Sequence, residues 1–185
     1  MSIKIGTNDI SDMKVGSSQV SKVMLNGKNL VDAINASWVN NNTVKTLSDN
    51  VFKFTCNSGV LARACLPING LVSGTTYTVS FEAYTTSKPS TPSDVPYARV
   101  RETSSGGEWI SNRTDTIRLE NSYSKYTLTF TATSVSNPYV WFYLSTSTSN
   151  TNNVELYVKN IQLESGSTPT TYEPYVGEVT LWEKV

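Results

Sequence analysis

Few side chains in this sequence could carry out catalytic chemistry, because its 185 residues include no histidine. A Ser-His-Asp triad and a histidine-ligated zinc site are therefore excluded. Glu82, Glu108 and Asp115 could supply the two carboxylates of a glycosidase, but Glu82 falls on the solvent side of a predicted strand, where carboxylates are usually only solvated. No glycine-rich phosphate loop precedes a helix. We predict that the protein is not an enzyme.

A binding function remains, and the balance of charged residues limits which partners the protein could bind. Lys and Arg together number 15, and Asp and Glu also number 15, so the chain carries no net charge. Nucleic-acid-binding proteins carry a basic patch or stripe, and we therefore expect no nucleic-acid partner. We also expect no membrane insertion, since no segment approaches the roughly 20 apolar residues of a membrane helix and the first residues lack the apolar stretch of a signal peptide.

Alternating apolar and polar residues predict strands along most of the chain. Tyr77, Val79 and Phe81, for example, fall on one face of a strand, and Thr and Ser, which exceed a quarter of the residues, suit solvated strands and turns. Eight strands with one buried face each pack most economically as two layers, so the predicted fold class is all-β, a β-sandwich. The predicted strands are 51–56, 60–66, 75–84, 96–101, 108–111, 124–131, 139–145 and 154–164.

A short repeat occupies the N-terminal 34 residues. Residues 4–10, 14–20 and 24–30 each contain an apolar residue, a polar stretch with Gly and a second apolar residue, which predicts short antiparallel strands joined by tight turns. Such units bury too little apolar area to be stable alone. We interpret 1–34 as an attachment or oligomerisation element, or alternatively as a meander that closes one end of the fold. Residues 176–185 predict one more strand, whose open edge could pair with another chain.

Four parts of the chain resemble known modules. Segments 75–84 and 126–132 resemble strands of the carbohydrate-binding jelly rolls found in phage tail proteins. The run Ile161-Gln162-Leu163-Glu164, followed by residues 171–175, resembles the ending of jelly-roll modules in phage tail, baseplate and fibre proteins. The N-terminal repeat resembles short β-modules of phage tail and fibre proteins.

The resemblance implies a jelly-roll, carbohydrate-binding-like domain over residues 35–175, between the N-terminal repeat module and the C-terminal strand. It also implies a virion protein of the tail, baseplate or fibre, made in the host cytoplasm and acting outside the cell. The expected partners are other virion proteins and further copies of this chain. A homotrimer is favoured, because virion appendages in similar families are commonly trimeric.

In jelly-roll order, the predicted strands 60–66, 96–101, 108–111 and 139–145 lie in one sheet. If Ala64, Val100 and Phe142 face the core, the side chains next to them along each strand form an outer face rich in aromatic residues and arginine. That face comprises Arg63, Tyr97, Arg99, Arg101, Trp109, Tyr139, Trp141 and Tyr143. The outer face of the opposite sheet is expected to show mainly Thr and Ser.

Aromatic rings and arginine on one sheet face fit carbohydrate binding, because a pyranose stacks on a flat ring while polar and charged groups hold its hydroxyls. We predict that this face binds host cell-surface polysaccharide, with Trp141 as the main stacking platform. The same residue types also favour protein–protein interfaces. The alternative is therefore a structural virion component, a spacer, adaptor or capsid decoration, whose aromatic face packs against another protein. A third interpretation is that the chain's own loop or N-terminal repeat covers the face.

Cysteines and cofactors complete the expectations. Cys56 and Cys65 flank the turn-like Asn57-Ser58-Gly59 and could pair, but assembly in the cytosol favours free thiols. We expect no cofactor. Jelly rolls similar to this one often hold a structural calcium, for which Asp32, Asn35 and Glu164 are conceivable ligands, although the sequence has no dense acidic loop.

Overall fold

The computed structural model describes residues 3–5, 8–10, 29–86, 96–103, 109–112, 114, 116–133, 137–145 and 153–175. These residues form strands, turns and irregular segments, and no helix occurs among them. Within this part of the chain there is accordingly no helix long and apolar enough to span a membrane. The chain divides into two units, one of residues 1–26 and 176–185 and the other of residues 27–175.

The first unit is described only in its N-terminal hairpin. Strand β1 (Ile3–Ile5) pairs antiparallel with β2 (Asn8–Ile10), with Ile3 opposite Ile10. This hairpin spans the first of the three predicted repeats. The second repeat, most of the third and the predicted C-terminal strand 176–185 lie outside the described residues.

The second unit is a sandwich of two antiparallel sheets, which confirms the predicted fold class. The first sheet has the order β10-β8-β12-β6-β3, with β9 also paired to β8. Its strands are β3 (Val39–Asn41), β6 (Ala62–Pro67), β8 (Tyr97–Thr103), β9 (Trp109–Asn112), β10 (Ile117–Arg118) and β12 (Asn137–Ser145). The second sheet has the order β11-β7-β13-β5-β4. Its strands are β4 (Val44–Ser48), β5 (Val51–Cys56), β7 (Thr76–Thr85), β11 (Ser124–Thr131) and β13 (Val154–Ser165).

All eight predicted strands are present, with bounds within two residues of those expected. Three short strands, β3, β4 and β10, were not predicted. The side chains of β3 and β4 are almost all exposed and β10 has only two residues, so these strands show no alternation of apolar and polar positions.

The core between the sheets is joined by a chain of aromatic rings. Phe54 and Phe142, from opposite sheets, have ring centroids 6.4 Å apart, and Phe142 meets Phe81 edge-on at 5.1 Å. Trp38 contacts Phe54 at 5.1 Å, and Tyr126 stacks on Phe81 at 5.5 Å. Edge-to-face and offset contacts are the favoured geometries for such rings. The strand faces predicted to point inward are those that form this core.

Residues 29–34, which the sequence analysis assigned to the N-terminal element, are part of the sandwich. Val31 and Ala33 are buried in the core. The buried Asn29 accepts hydrogen bonds at Oδ1 from the backbone N–H groups of Val31 and Leu163, each at 3.1 Å, and its Nδ2 donates to the carbonyl of Ile161 at 3.1 Å. The side chain of Asn29 thus connects residues 29–31 to β13 by hydrogen bonds.

The segment that follows β13 returns across the outer face of the second sheet. Gln162 accepts a hydrogen bond from the Glu173 backbone N–H at 2.6 Å, and Glu164 accepts from the backbone N–H of Thr170 at 3.0 Å and from its hydroxyl at 2.5 Å. Thr78 donates to the Gly166 carbonyl at 2.7 Å. Gln162 and Glu164 are buried although they point away from the core, so these polar side chains serve to hold residues 166–175.

Replacing Asn29 with alanine should destabilise the sandwich strongly. The change removes three hydrogen bonds and leaves buried backbone groups of Val31, Ile161 and Leu163 without a side-chain partner, which we expect to cost about 2–4 kcal/mol. Urea unfolding followed by tryptophan fluorescence measures the difference.

The matched control is Asn35→Ala, because Asn35 is exposed and bonds to Asp32 within the same turn. That variant should lose about 0.5 kcal/mol or less. Equal stability of the two variants would contradict the role assigned to Asn29.

Candidate functional site

The outer face of the first sheet is built by three neighbouring strands. Strand β12 lies between β6 and β8, and residues directly opposite one another in antiparallel strands point to the same side. We call the resulting set of side chains the arginine–aromatic face. Its three rows are Arg63–Tyr143–Tyr97, Cys65–Trp141–Arg99 and Pro67–Tyr139–Arg101.

Trp141 lies at the centre of this face and is 0% exposed. The guanidinium carbons of Arg63 and Arg101 lie 4.7 Å and 4.8 Å from the centroid of its ring, and Tyr143 lies beside it at 5.1 Å. Trp141, Tyr143 and Cys65 therefore form a second small cluster, separate from the main core. The expectation that Trp141 is an open stacking platform is thus corrected: arginine side chains already occupy the positions over its ring.

The tyrosines and arginines of the face are joined by further contacts. Tyr97 stacks on Tyr143 with ring centroids 4.4 Å apart, and the guanidinium carbon of Arg99 lies 5.2 Å from each ring. Arg99 Nη2 donates to the Tyr97 hydroxyl at 3.3 Å, and Arg101 Nη1 donates to the Tyr143 hydroxyl at 3.2 Å. Burial raises the pKa of Tyr97 to about 12, so its hydroxyl remains protonated at neutral pH.

The structure brings seven of the eight predicted site residues together. Tyr97, Tyr139 and the three arginines are half-buried and so retain accessible surface, whereas Trp141 and Tyr143 are buried. The backbone of Trp109 lies in β9, next to β8, and its side chain lies outside the described residues.

Sequence reasoning missed three positions on or beside this face. Cys65 and Pro67 follow Arg63 at two-residue steps, so the same alternation indicated that they point outward. Arg118 lies opposite Tyr97 and is exposed. No signal in the sequence indicated its position, because β10 has only two residues.

The outer face of the second sheet carries Thr and Ser where β7 pairs with β11, as expected, with the hydroxyls of Thr78 and Thr129 3.2 Å apart, but other residue types surround Tyr84 and Tyr157. Tyr84 and Tyr157, on β7 and β13, stack at 4.5 Å with an angle of 3°, and Tyr123 meets Tyr84 edge-on at 4.5 Å. Lys53 lies over the ring of Tyr157 and Lys159 over that of Tyr123. We call Tyr84, Tyr123 and Tyr157 the tyrosine ladder. The sequence shows each Tyr but not the strand register that makes them neighbours.

The carboxylates near this ladder are engaged in ion pairs. Lys53 pairs with Glu155 at 2.6 Å and Lys159 with Glu82 at 3.4 Å. A hydrogen bond from Asn160 lowers the pKa of Glu82, which keeps it ionised and unsuited to the role of a general acid. Glu108 and Asp115, the other two carboxylates considered for hydrolysis, lie outside the described residues.

The conceivable calcium ligands are bonded to protein groups. Both carboxylate oxygens of Asp32 accept hydrogen bonds from Asn35, at 3.1 Å and 2.8 Å, whereas Glu164 bonds to Thr170. Asp32 and Asn35 line a cleft of about 410 Å³ together with Tyr175 and other residues. In the described part of the chain, no three Cys, Asp or Glu residues come together as metal ligands would.

Cys56 and Cys65 are free thiols, as the sequence analysis favoured. Cys56 lies on β5 and packs in the main core, whereas Cys65 lies on β6, in the other sheet, beneath the arginine–aromatic face. Burial raises the pKa of both thiols, that of Cys65 to about 12.

A sequence profile of the family described as "Carbohydrate binding domain" matches residues 62–159, a little over half of the chain. The matched stretch contains β6, β8 and β12 and all eight predicted site residues. No curated protein matches the chain significantly by sequence.

Several solved structures share the fold. One, described as a CBM4 structure, is 17% identical with a TM-score of 0.53, over 70% of this chain and 94% of its own. The N-terminal cellulose-binding domain of Cellulomonas fimi β-1,4-glucanase C is 17% identical with a TM-score of 0.54, over 71% of this chain and 90% of its own. A mutant of a family 29 carbohydrate binding module is 12% identical with a TM-score of 0.50, over 78% and 89%. These likenesses confirm the predicted jelly-roll sandwich.

Both native thiols should resist modification. The thiolate is the reactive form of cysteine, and burial keeps Cys56 and Cys65 protonated. At pH 8, Ellman's reagent should therefore leave both unmodified in the folded protein and modify two thiols per chain in guanidinium chloride.

Ser58→Cys provides the control, because Ser58 is exposed in the turn between the two cysteines. That variant should show one fast-reacting thiol. Fast reaction of a thiol in the unsubstituted native protein would contradict the burial of the cysteines.

Proposed function

This chain belongs to the carbohydrate binding domain family, and on that premise we propose that it binds a polysaccharide on the arginine–aromatic face. The observation that carries the proposal is the convergence of Tyr97, Tyr139 and three arginines around Trp141, on strands that all fall within the family match. Exposed aromatic surface framed by polar groups is what recognition of a sugar ring requires.

The buried tryptophan has a supporting role in this proposal. Trp141 fixes Arg63 and Arg101 by contact with their guanidinium groups, so little side-chain freedom is lost when a ligand binds. Tyr97 and Tyr139, which are half-buried, supply the ring surface on which a pyranose stacks. The arginines supply hydrogen-bond donors for its hydroxyls.

Binding without catalysis is the proposed activity. Hydrolysis of a glycosidic bond needs two carboxyl groups that flank it. In the described part of the arginine–aromatic face, none of the nine residues in the three rows is acidic.

We infer further that the polysaccharide belongs to a bacterial cell surface and that the chain is part of a phage tail, baseplate or fibre. Two features support this setting. The closing motif resembles that of phage modules, and its Gln162 and Glu164 have a defined task, since they hold residues 166–175 on the second sheet. The N-terminal repeat resembles modules of phage tail and fibre proteins and, in this proposal, connects the chain to other virion proteins and to copies of itself.

A trimer is the expected assembly. Multi-angle light scattering of the purified protein should give a mass three times that of the 20.3-kDa chain. A mass equal to one chain at micromolar concentration would contradict the proposed homotrimer.

Removal of one ring from the face should weaken binding. On an array of glycans and host-wall polysaccharides, Tyr139→Ala should bind about 10-fold more weakly than the unsubstituted protein, since a ring that stacks at an interface typically contributes 1–2 kcal/mol. Tyr84→Ala removes the same kind of side chain from the tyrosine ladder of the opposite sheet and should bind normally.

The same pair of variants separates sugar binding from the structural alternative. If the arginine–aromatic face is a protein interface, Tyr139→Ala will reduce the mass measured by light scattering and leave the array unchanged. Circular dichroism and urea unfolding establish that each variant is folded. Equal loss of binding in both variants would contradict the assignment of the site to the first sheet.

A further inference from the structure

The segment that follows β6 exposes an asparagine and a glycine in direct succession. Asn69 and Gly70 are both exposed, whereas Ile68 before them is buried and its N–H donates to a carbonyl of β12 at 2.9 Å. The next anchored position is Val72, whose N–H donates to the Tyr77 hydroxyl at 2.9 Å. Asn69 and Gly70 therefore lie at the surface between two positions that are fixed by hydrogen bonds.

The backbone nitrogen of Gly70 is unhindered. The φ angle of Gly70 is +74°, a conformation that glycine adopts without strain. A Cβ atom placed on Gly70 would meet nothing within 4 Å, so no neighbouring group crowds this position. Within the described part of the chain, neither the N–H of Gly70 nor the side chain of Asn69 makes a hydrogen bond. Neither group is thus held away from the other.

This arrangement is the one that deamidation of asparagine requires, and asparagine is a thermolabile residue. The peptide N–H of the following residue loses its proton to water or hydroxide, and the nitrogen attacks the side-chain Cγ. The bond from Cγ to the side-chain nitrogen then breaks as ammonia leaves. Water opens the resulting five-membered succinimide ring at either carbonyl and gives aspartate or isoaspartate. The sum of these steps consumes one water and releases one ammonia, without oxidation or reduction.

We propose that Asn69 is a site of spontaneous deamidation in the folded protein, through attack by the backbone nitrogen of Gly70. Each event adds one negative charge to a chain that has no net charge. Asn69 and Asp32 both line the cleft of about 410 Å³, so the modification adds a further carboxyl group to the wall of that cleft. An ageing sample accumulates an acidic species that ion-exchange chromatography separates.

Asn57 provides an internal control. It is exposed and precedes Ser58 in the turn after β5. The Ser58 N–H, however, donates to Oδ1 of Asn153 at 3.0 Å. A nitrogen held in this way reacts only when its hydrogen bond opens. Both Asn57 and Asn69 are exposed, and the hydrogen bond of the nitrogen that follows Asn57 distinguishes them.

The experiment measures the deamidation of each asparagine in the folded and the unfolded chain. The full chain is incubated at pH 8 in water labelled with heavy oxygen, with and without guanidinium chloride, and tryptic peptides are analysed by mass spectrometry. Asn57 and Asn69 fall on different peptides because Arg63 lies between them. Asn69 should react in the folded chain within about threefold of its rate in the unfolded chain, whereas Asn57 should be slowed about 10-fold or more by folding.

Two variants test the chemistry and the control. Asn69→Gln should abolish the modification at this position, because attack on the longer side chain would need a six-membered ring. Asn153→Ala releases the Ser58 N–H and should raise the rate at Asn57 in the folded chain towards its unfolded rate, with the rate at Asn69 unchanged. Circular dichroism verifies the fold of each variant.

Two outcomes would overturn the proposal. The first is a rate at Asn69 that folding slows about 10-fold or more, as expected for a protected group. The second is an acidic species that forms equally in Asn69→Gln. Asn26 and Gly27 form the other Asn-Gly pair of the sequence and lie outside the described residues. Lys28 places Asn26 on a separate tryptic peptide, so modification there is not counted for Asn69.

Discussion

Strand β12 has one side that faces the core and one that faces outward, and large side chains on both sides are buried. The arrangement of the site depends on this double burial. Val140, Phe142 and Leu144 enter the main core, while Trp141 and Tyr143, pointing the other way, are also buried. Strict alternation along a strand forces one set outward when the other turns inward. Trp141 is one of the residues that point outward, and the neighbouring strands β6 and β8 supply the arginines that cover its ring.

Arginine covers this ring in a way that leucine would not. Its aliphatic stem packs on apolar surface while its head remains charged, so the cover of Trp141 is itself a set of cations. Contact with the ring holds Arg63 and Arg101 in place, and the tyrosine hydroxyls orient Arg99 and Arg101. The packing that closes the small outer cluster therefore also orders the groups available to a ligand, and stability and binding depend on the same contacts.

Features that depend on residues close together in the sequence could be predicted, and features that depend on contacts between distant strands could not. Alternation within β6, β7, β8, β11 and β12 is local, and it sufficed to assign these strands, their inward faces and most residues of the arginine–aromatic face. The burial of Trp141 could not be read, because it depends on Arg63 and Arg101, which reach it from two other strands. The tyrosine ladder likewise depends on the register of β7 with β13, and the role of Asn29 on bonds to residues more than 130 positions away.

The two outer faces are covered by different means, and the difference bears on which of them binds. On the second sheet, residues 166–175 cover Gln162 and Glu164, and the tyrosine ladder is flanked by lysines whose charges are matched by Glu82 and Glu155. Those groups satisfy one another within the chain. On the first sheet, the guanidinium groups of Arg63 and Arg101 and the ring of Tyr143 cover Trp141. The half-buried rings of Tyr97 and Tyr139 lie on that ordered first face, so a sugar is expected to bind there.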